Sequence, residues 1–191
     1  MLLRQPDPTT CGSCCAVRAR MVLDDGYDAW VRDDPGRTRF RQEALAAHRR
    51  TNRAVDARGG LQVPWPLALG TAPWALAREL SLVSGTRHEA RPVLPWRRGA
   101  AYDTVREAAA GGHPVPVYVG NALAPRHVVL ALPHHEVGDD ALTVYDPASG
   151  GDVPVIRAAW ATGTLRLSGW DRPWFVVTPA DLSPAARRTP A

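Results

Sequence analysis

The stretch Gln5-Pro6-Asp7-Pro8-Thr9-Thr10-Cys11-Gly12-Ser13-Cys14-Cys15-Ala16 decides the fold, because it passes from a proline-rich loop straight into a helix that opens on a cysteine. Thr9-Thr10 precede an uninterrupted helical run from Cys11 to about Asp24, with Thr10 as candidate N-cap and Gly26 as stop. The small residues Ser13, Cys14, Cys15 and Ala16 let this helix pack closely against a sheet, and Gly12 leaves room for a substrate backbone. Downstream, turn residues from Asp33 to Gly36 break the chain, and Thr38 to Asp56 reads as an Arg-rich helix closed by Gly59-Gly60. Pro64, Pro66, Gly70 and Pro73 mark a loop, Pro73 to Val83 has helical spacing, and Tyr102 to Ala110 is a further short helix. Past residue 113 the pattern turns extended: Val115 to Val119, His127 to Leu132, Ala141 to Tyr145 and Trp174 to Thr178 are apolar, β-branched runs bounded by Gly, Pro and Asn. Helices first and strands second predict an α+β fold with a mainly antiparallel sheet, since a parallel doubly wound sheet needs the two to alternate.

The chain has 191 residues, enough for one sizeable core but short for two full domains. We expect a single domain over 1–182 and a flexible tail over 183–191. Hydrophobic residues at 45% and charged residues at 22% exclude a disordered chain and a coiled coil. All 23 basic residues are Arg, so Schiff-base chemistry, a phosphate-loop Lys and Lys general bases are excluded. A formal charge of +4 is too modest to mark a nucleic-acid surface. Seven Arg between Arg37 and Arg58, without interleaved aromatics, read as a solvated face rather than a grip on an acidic partner. His48, His88 and His113 stand in polar or Gly/Pro-flanked contexts and read as surface residues.

Three Cys within five positions form a poor disulfide framework, which points to reduced thiols and a cytoplasmic location. No apolar stretch approaches the roughly 20 residues of a membrane span, and residues 1–6 carry no signal-peptide apolar segment, so no membrane association is expected. Zinc is the main non-catalytic use of such residues. Cys11, Cys14 or Cys15 with His134 and His135 supply only one Cys-x-x-Cys pair, and adjacent His side chains on a strand point to opposite faces. Neither metal nor organic cofactor is expected.

A cysteine in the first turn of a helix lies where unpaired N–H groups and the helix dipole favour the thiolate, although a small buried cysteine satisfies the same position. His127 and Asp146 shift the balance. A hairpin centred between Glu136 and Val137, next to the turn-forming Gly138-Asp139-Asp140, puts His127 directly opposite Asp146. The carboxylate then orients the imidazole and leaves its other nitrogen for a thiol. Gln5, six positions before Cys11 on the entering loop, completes the set as an oxyanion donor beside the Cys11 N–H.

The stretch from Gln5 to Gly12, with Arg126-His127-Val128-Val129-Leu130 and Val144-Tyr145-Asp146-Pro147, resembles the papain-like cysteine peptidases. It is most similar to their bacteriocin-processing (double-glycine leader) branch, family C-39. The resemblance runs across most of the chain, weakly over 27–70. It implies a papain-like fold, with an N-terminal helical lobe packed on a C-terminal antiparallel sheet and the site between them. It implies roles for Gln5 as oxyanion donor, Cys11 as nucleophile, His127 as base and Asp146 as the acid that orients it, and structural positions for Trp160, Trp170, Trp174 and Phe175. Cys11-Gly12-Ser13-Cys14 also resembles the plant papain signature, in which the second cysteine reacts. Against this, Pro8 stands six positions before Cys14 and Cys15 replaces the aromatic that follows the nucleophile there, which favours Cys11.

The expected activity is hydrolysis of a peptide or protein substrate through a thioester. The alternatives are a deamidase or acyltransferase using the same residues, and a non-catalytic peptide-binding domain.

Overall fold

The structure, a computed structural model, describes residues 2–55, 60–63, 65–133 and 141–182. Among the described residues six α-helices, α1 (Cys11–Leu23), α2 (Asp25–Arg32), α3 (Thr38–Thr51), α4 (Pro73–Ser84), α5 (Arg98–Ala110) and α6 (Arg157–Thr162), surround one sheet. Its strands are β1 (His88–Pro92), β2 (Val115–Gly120), β3 (Pro125–Ala131), β4 (Ala141–Asp146), β5 (Gly151–Ile156) and β6 (Arg172–Pro179). They run in the order β1-β6-β2-β3-β4-β5, and every pair is antiparallel. The α+β reading therefore holds.

The sheet is covered on both faces. Tyr118, Val128, Leu130 and Tyr145 pack with α1, α3 and α4, while Val117, Val129, Val144, Val155 and Val176 pack with α5 and α6. Burial on two faces explains why β2 and β3 read as continuous apolar runs rather than as alternating strands. Trp160 is buried against Tyr102, ring centroids 5.6 Å apart, and the Tyr102 hydroxyl donates to the Val155 carbonyl at 3.0 Å.

Several expectations change. The segregation of helices from strands is incomplete, because β1 precedes α5 and α6 lies between β5 and β6. Both overlooked strands sit at sheet edges, where charged residues (Glu89, Arg91) and a proline (Pro154) are tolerated and the apolar signal is lost. Gly26 does not stop the chain: α1 ends at Leu23, and Asp24 caps α2 by accepting from the Tyr27 N–H at 2.9 Å. The Arg-rich helix ends at Thr51, not Asp56. His88 is buried, its ring bonded to the Thr86 carbonyl at 2.8 Å and set edge-on to His113. The space beside Gly12 is closed rather than open, since a Cβ there would fall 2.8 Å from the Thr71 Cβ and 3.5 Å from Val128. The turn Gly138-Asp139-Asp140, His134, His135, Gly59 and the 183–191 tail lie outside the described residues. Among the described residues no helix is long and apolar enough to cross a membrane.

One latch ties the loop before α4 to the sheet. The buried Tyr118 hydroxyl donates to the Thr71 carbonyl at 2.9 Å, and the Thr71 hydroxyl meets Ser13 of α1 at 3.2 Å. Tyr118→Phe leaves that carbonyl buried without its donor, and urea denaturation is expected to show a loss of about 1 to 3 kcal/mol.

Candidate active site

Local chemistry in the Gln5–Thr10 loop sets where α1 begins. The Asp7 carboxylate accepts from the Thr9 N–H at 2.8 Å and the Thr9 hydroxyl at 2.7 Å, and the Asp7 carbonyl accepts from the Thr10 hydroxyl at 2.9 Å. Thr10 occupies the N-cap position as expected, but its side chain caps none of the first-turn N–H groups, because its hydroxyl is turned back to Asp7. Cys11 is the first residue of α1, where N–H groups lack intrahelical acceptors and the dipole favours negative charge. Gly70 lies against this turn. With φ +73° it takes a backbone conformation that favours glycine, and a Cβ there would sit 2.7 Å from the Thr9 carbonyl oxygen and 3.9 Å from the Cys11 Sγ.

The imidazole and carboxylate come from β3 and β4. His127 Nε2 and Asp146 Oδ1 are 2.8 Å apart, and both residues are buried. The register differs from the expected hairpin. Leu130 pairs with Tyr145 and Ala131 with Val144, and continuing that ladder sets Asp146 opposite Val129 rather than His127. The two residues are thus diagonal neighbours. A shift of two positions keeps a side chain on its face of the sheet, so the contact survives a register that sequence spacing misplaced. The hydrogen bond to Asp146 occupies Nε2, and Cys11 lies near enough to raise the pKa of the ring.

Of the four expected site residues, His127 and Asp146 are joined by a hydrogen bond, and Cys11 lies near enough for its charge to act on the ring. Gln5 is held separately: its N–H donates to the Pro147 carbonyl at 2.9 Å, and the Leu3 N–H donates to the Gly150 carbonyl at 3.0 Å. The loop that carries Gln5 therefore runs along the turn immediately after Asp146. The side-chain oxygen of Gln5 is buried without a hydrogen-bond partner among the described residues. Gly150, at φ +75°, permits this approach, because a Cβ would meet Arg4 at 2.5 Å.

Asp146 has partners that the sequence did not reveal. Oδ1 also accepts from the Ala148 N–H at 3.0 Å, and Oδ2 accepts from the Ser168 hydroxyl at 2.6 Å. The only sequence cue to Ser168 is the Ser168-Gly169 turn dipeptide, and nothing in it points to Asp146. Cys14 and Cys15 are fully buried, and Cys15 donates to the Val128 carbonyl at 3.5 Å. Arg18, on the Cys11 side of the helix, pairs with Asp28 at 3.9 Å. Among the described residues no group of three or more His, Cys, Asp or Glu side chains is arranged to hold a metal ion.

Electrostatics separate these groups. Burial opposes charge on His127, but the hydrogen bond to Asp146 and the negative charge of Asp146 and of the nearby Cys11 outweigh it, lifting the pKa from 6.5 to about 9. Burial pushes Asp146 upward, yet the bonds from His127, Ser168 and the Ala148 N–H hold it below 3.8. Burial, reinforced by the neighbouring Cys11 charge, pushes the Cys14 and Cys15 thiols well above 9.0, so both stay protonated at neutral pH.

No family model and no curated protein sequence matches the chain. Among solved structures it is similar to the peptidase domain of Streptococcus ComA, a bi-functional ABC transporter involved in a quorum-sensing pathway. The identity is 13% and the TM-score 0.48, over 93% of this chain and 97% of that one. Similarity at this level assigns neither family nor activity.

The raised His127 value means that its contribution to stability is complete below pH 6.5 and is lost as pH rises through about 9. The depressed Asp146 value means that its contribution is present above 3.8 and is lost as pH falls through the folded-state value. NMR titration of the His127 ring is expected to show a midpoint near 9 that falls toward 6.5 in Asp146→Asn. A wild-type midpoint near 6.5 would contradict the pairing.

Proposed function

We propose that the chain is a cysteine-dependent hydrolase of peptide or amide bonds that works by acyl transfer through Cys11. The observation that carries this reading is the buried His127–Asp146 hydrogen bond, with Cys11 at a helix N-terminus and near enough to shift the ring's pKa. The resemblance of the Gln5–Gly12, Arg126–Leu130 and Val144–Pro147 stretches to papain-like cysteine peptidases supports the same assignment and favours a peptide substrate.

In this mechanism the Cys11 proton passes to His127, and the sulfur attacks the substrate carbonyl carbon to form a C–S bond. The carbonyl electron pair moves to oxygen, where the Cys11 N–H and the Gln5 side-chain amide donate to the developing oxyanion. As the oxyanion collapses, the C–N bond breaks and His127 gives its proton to the leaving amine. Water then attacks the thioester, passing its proton to His127, and the acid product leaves as the Cys11 thiol re-forms. Asp146 carries no proton in this cycle. It fixes the ring orientation through Nε2 and stabilises the imidazolium. Cys14 and Cys15 take no part, because buried neutral thiols are poor nucleophiles.

Two measurements check this reading. In brief iodoacetamide treatment at pH 6 followed by peptide mapping, Cys11 is expected to be alkylated well before Cys14 and Cys15, and His127→Ala should erase its lead. With a peptide library read by mass spectrometry, Cys11→Ala should abolish cleavage, and Gln5→Ala should lower kcat by roughly 10²- to 10³-fold. Cleavage undiminished in Cys11→Ala would sink the proposal.

A further inference from the structure

Asp146 is held on both oxygens, and the second oxygen depends on a residue far away in the chain. Ser168 follows α6 and lies in the two-residue loop of a tight hairpin. The Leu167 N–H donates to the Trp170 carbonyl at 3.2 Å, and the Trp170 N–H donates to the Leu167 carbonyl at 2.9 Å. Ser168 has φ +48° and Gly169 φ +88°, the pair of positive values that marks a type I′ turn. Asn, Asp and Gly are the residues that fit such a turn, and serine is a strained choice at its first position. Packing does not account for that choice, since Ser168 is exposed while Leu165 and Leu167 anchor the hairpin in the core. The Leu165 N–H also donates to the Asp171 carbonyl at 3.0 Å, and the Asp171 N–H to the Gly120 carbonyl of β2 at 3.2 Å. The turn is thereby fixed to the sheet.

What serine brings is its hydroxyl, which donates to Asp146 Oδ2 at 2.6 Å, a distance typical of a charge-assisted O–H to carboxylate bond. We infer that Ser168 is a positioning residue for the His127–Asp146 pair: its hydroxyl clamps the second carboxylate oxygen so that the first presents one fixed acceptor to the imidazole. The inference rests on the proposed acyl-transfer reading. Without the clamp the carboxylate keeps the Ala148 N–H on Oδ1 but loses its only side-chain donor on Oδ2 among the described residues. It can then rotate out of line with His127 Nε2. Misplacing a group that aligns the base slows reaction without changing substrate contacts, so the effect belongs in kcat rather than KM.

Three variants of the full chain test this, with Cys11 alkylation by iodoacetamide as a readout that needs no substrate. Ser168→Gly removes the hydroxyl and relaxes the left-handed backbone. It is expected to keep or raise the melting temperature while slowing Cys11 alkylation on the order of tenfold. Its acid limb in the pH profile should move upward, because Asp146 loses a bond that favours its charged form. Ser168→Ala should slow alkylation likewise. Ser168→Asn suits the same backbone and supplies an amide donor, so it should restore most of the rate. The role is overturned if Ser168→Gly alkylates with the wild-type rate and pH profile, or if rate and melting temperature fall in parallel in all three variants. Wild-type Cys11 reacting no faster than Cys14 and Cys15 is a distinct failure: it removes the acyl-transfer reading and this role with it.

Discussion

The hydrogen bond between His127 and Asp146 is the interaction on which the rest of the site depends. Both side chains are buried, and a buried ionisable group is costly unless each oxygen and each ring nitrogen finds a partner. The surroundings meet that demand almost atom by atom. Asp146 receives His127, the Ala148 N–H and Ser168, while His127 is held by Asp146 and has the charge of Cys11 nearby. The result is a ring whose charged form outlasts its burial and a carboxyl that remains ionised. In the proposed chemistry this keeps a proton stored beside the sulfur.

That arrangement draws on parts of the chain with no local reason to meet. The α1 N-terminus reaches β3 because small side chains let the helix come close, with Gly12 against Thr71 and Val128, and Cys15 against the Val128 carbonyl. The loop before α1 is paired by backbone hydrogen bonds to the turn that leaves Asp146, so Gln5 and Asp146 share one anchorage. The Thr71 latch from Tyr118 fixes the segment holding Gly70, whose missing side chain lets it lie against the Thr9 carbonyl close to the Cys11 sulfur.

Legibility of the sequence followed burial. Central strands and helices with strong apolar patterns were readable, while β1 and β5 were missed because edge strands carry charge and proline without penalty. The helix start at Cys11 was readable from Thr9-Thr10, though the hydroxyl of Thr10 turned to Asp7 instead of capping. His127 and Asp146 were paired correctly by an incorrect register, since a slip of two residues preserves the face and only lengthens the reach. Ser168 was invisible: its contact spans 22 positions and joins elements that share no periodicity.

By itself the sequence determined the α+β class, a thiol at the head of a helix, and the absence of any lysine from the chemistry, because these follow from composition and short-range pattern. Only the tertiary structure decided which register aligns the carboxylate and which hydroxyl steadies it. Those are contacts between distant segments, set by how two faces of one sheet are packed, and a linear string holds no measure of that distance.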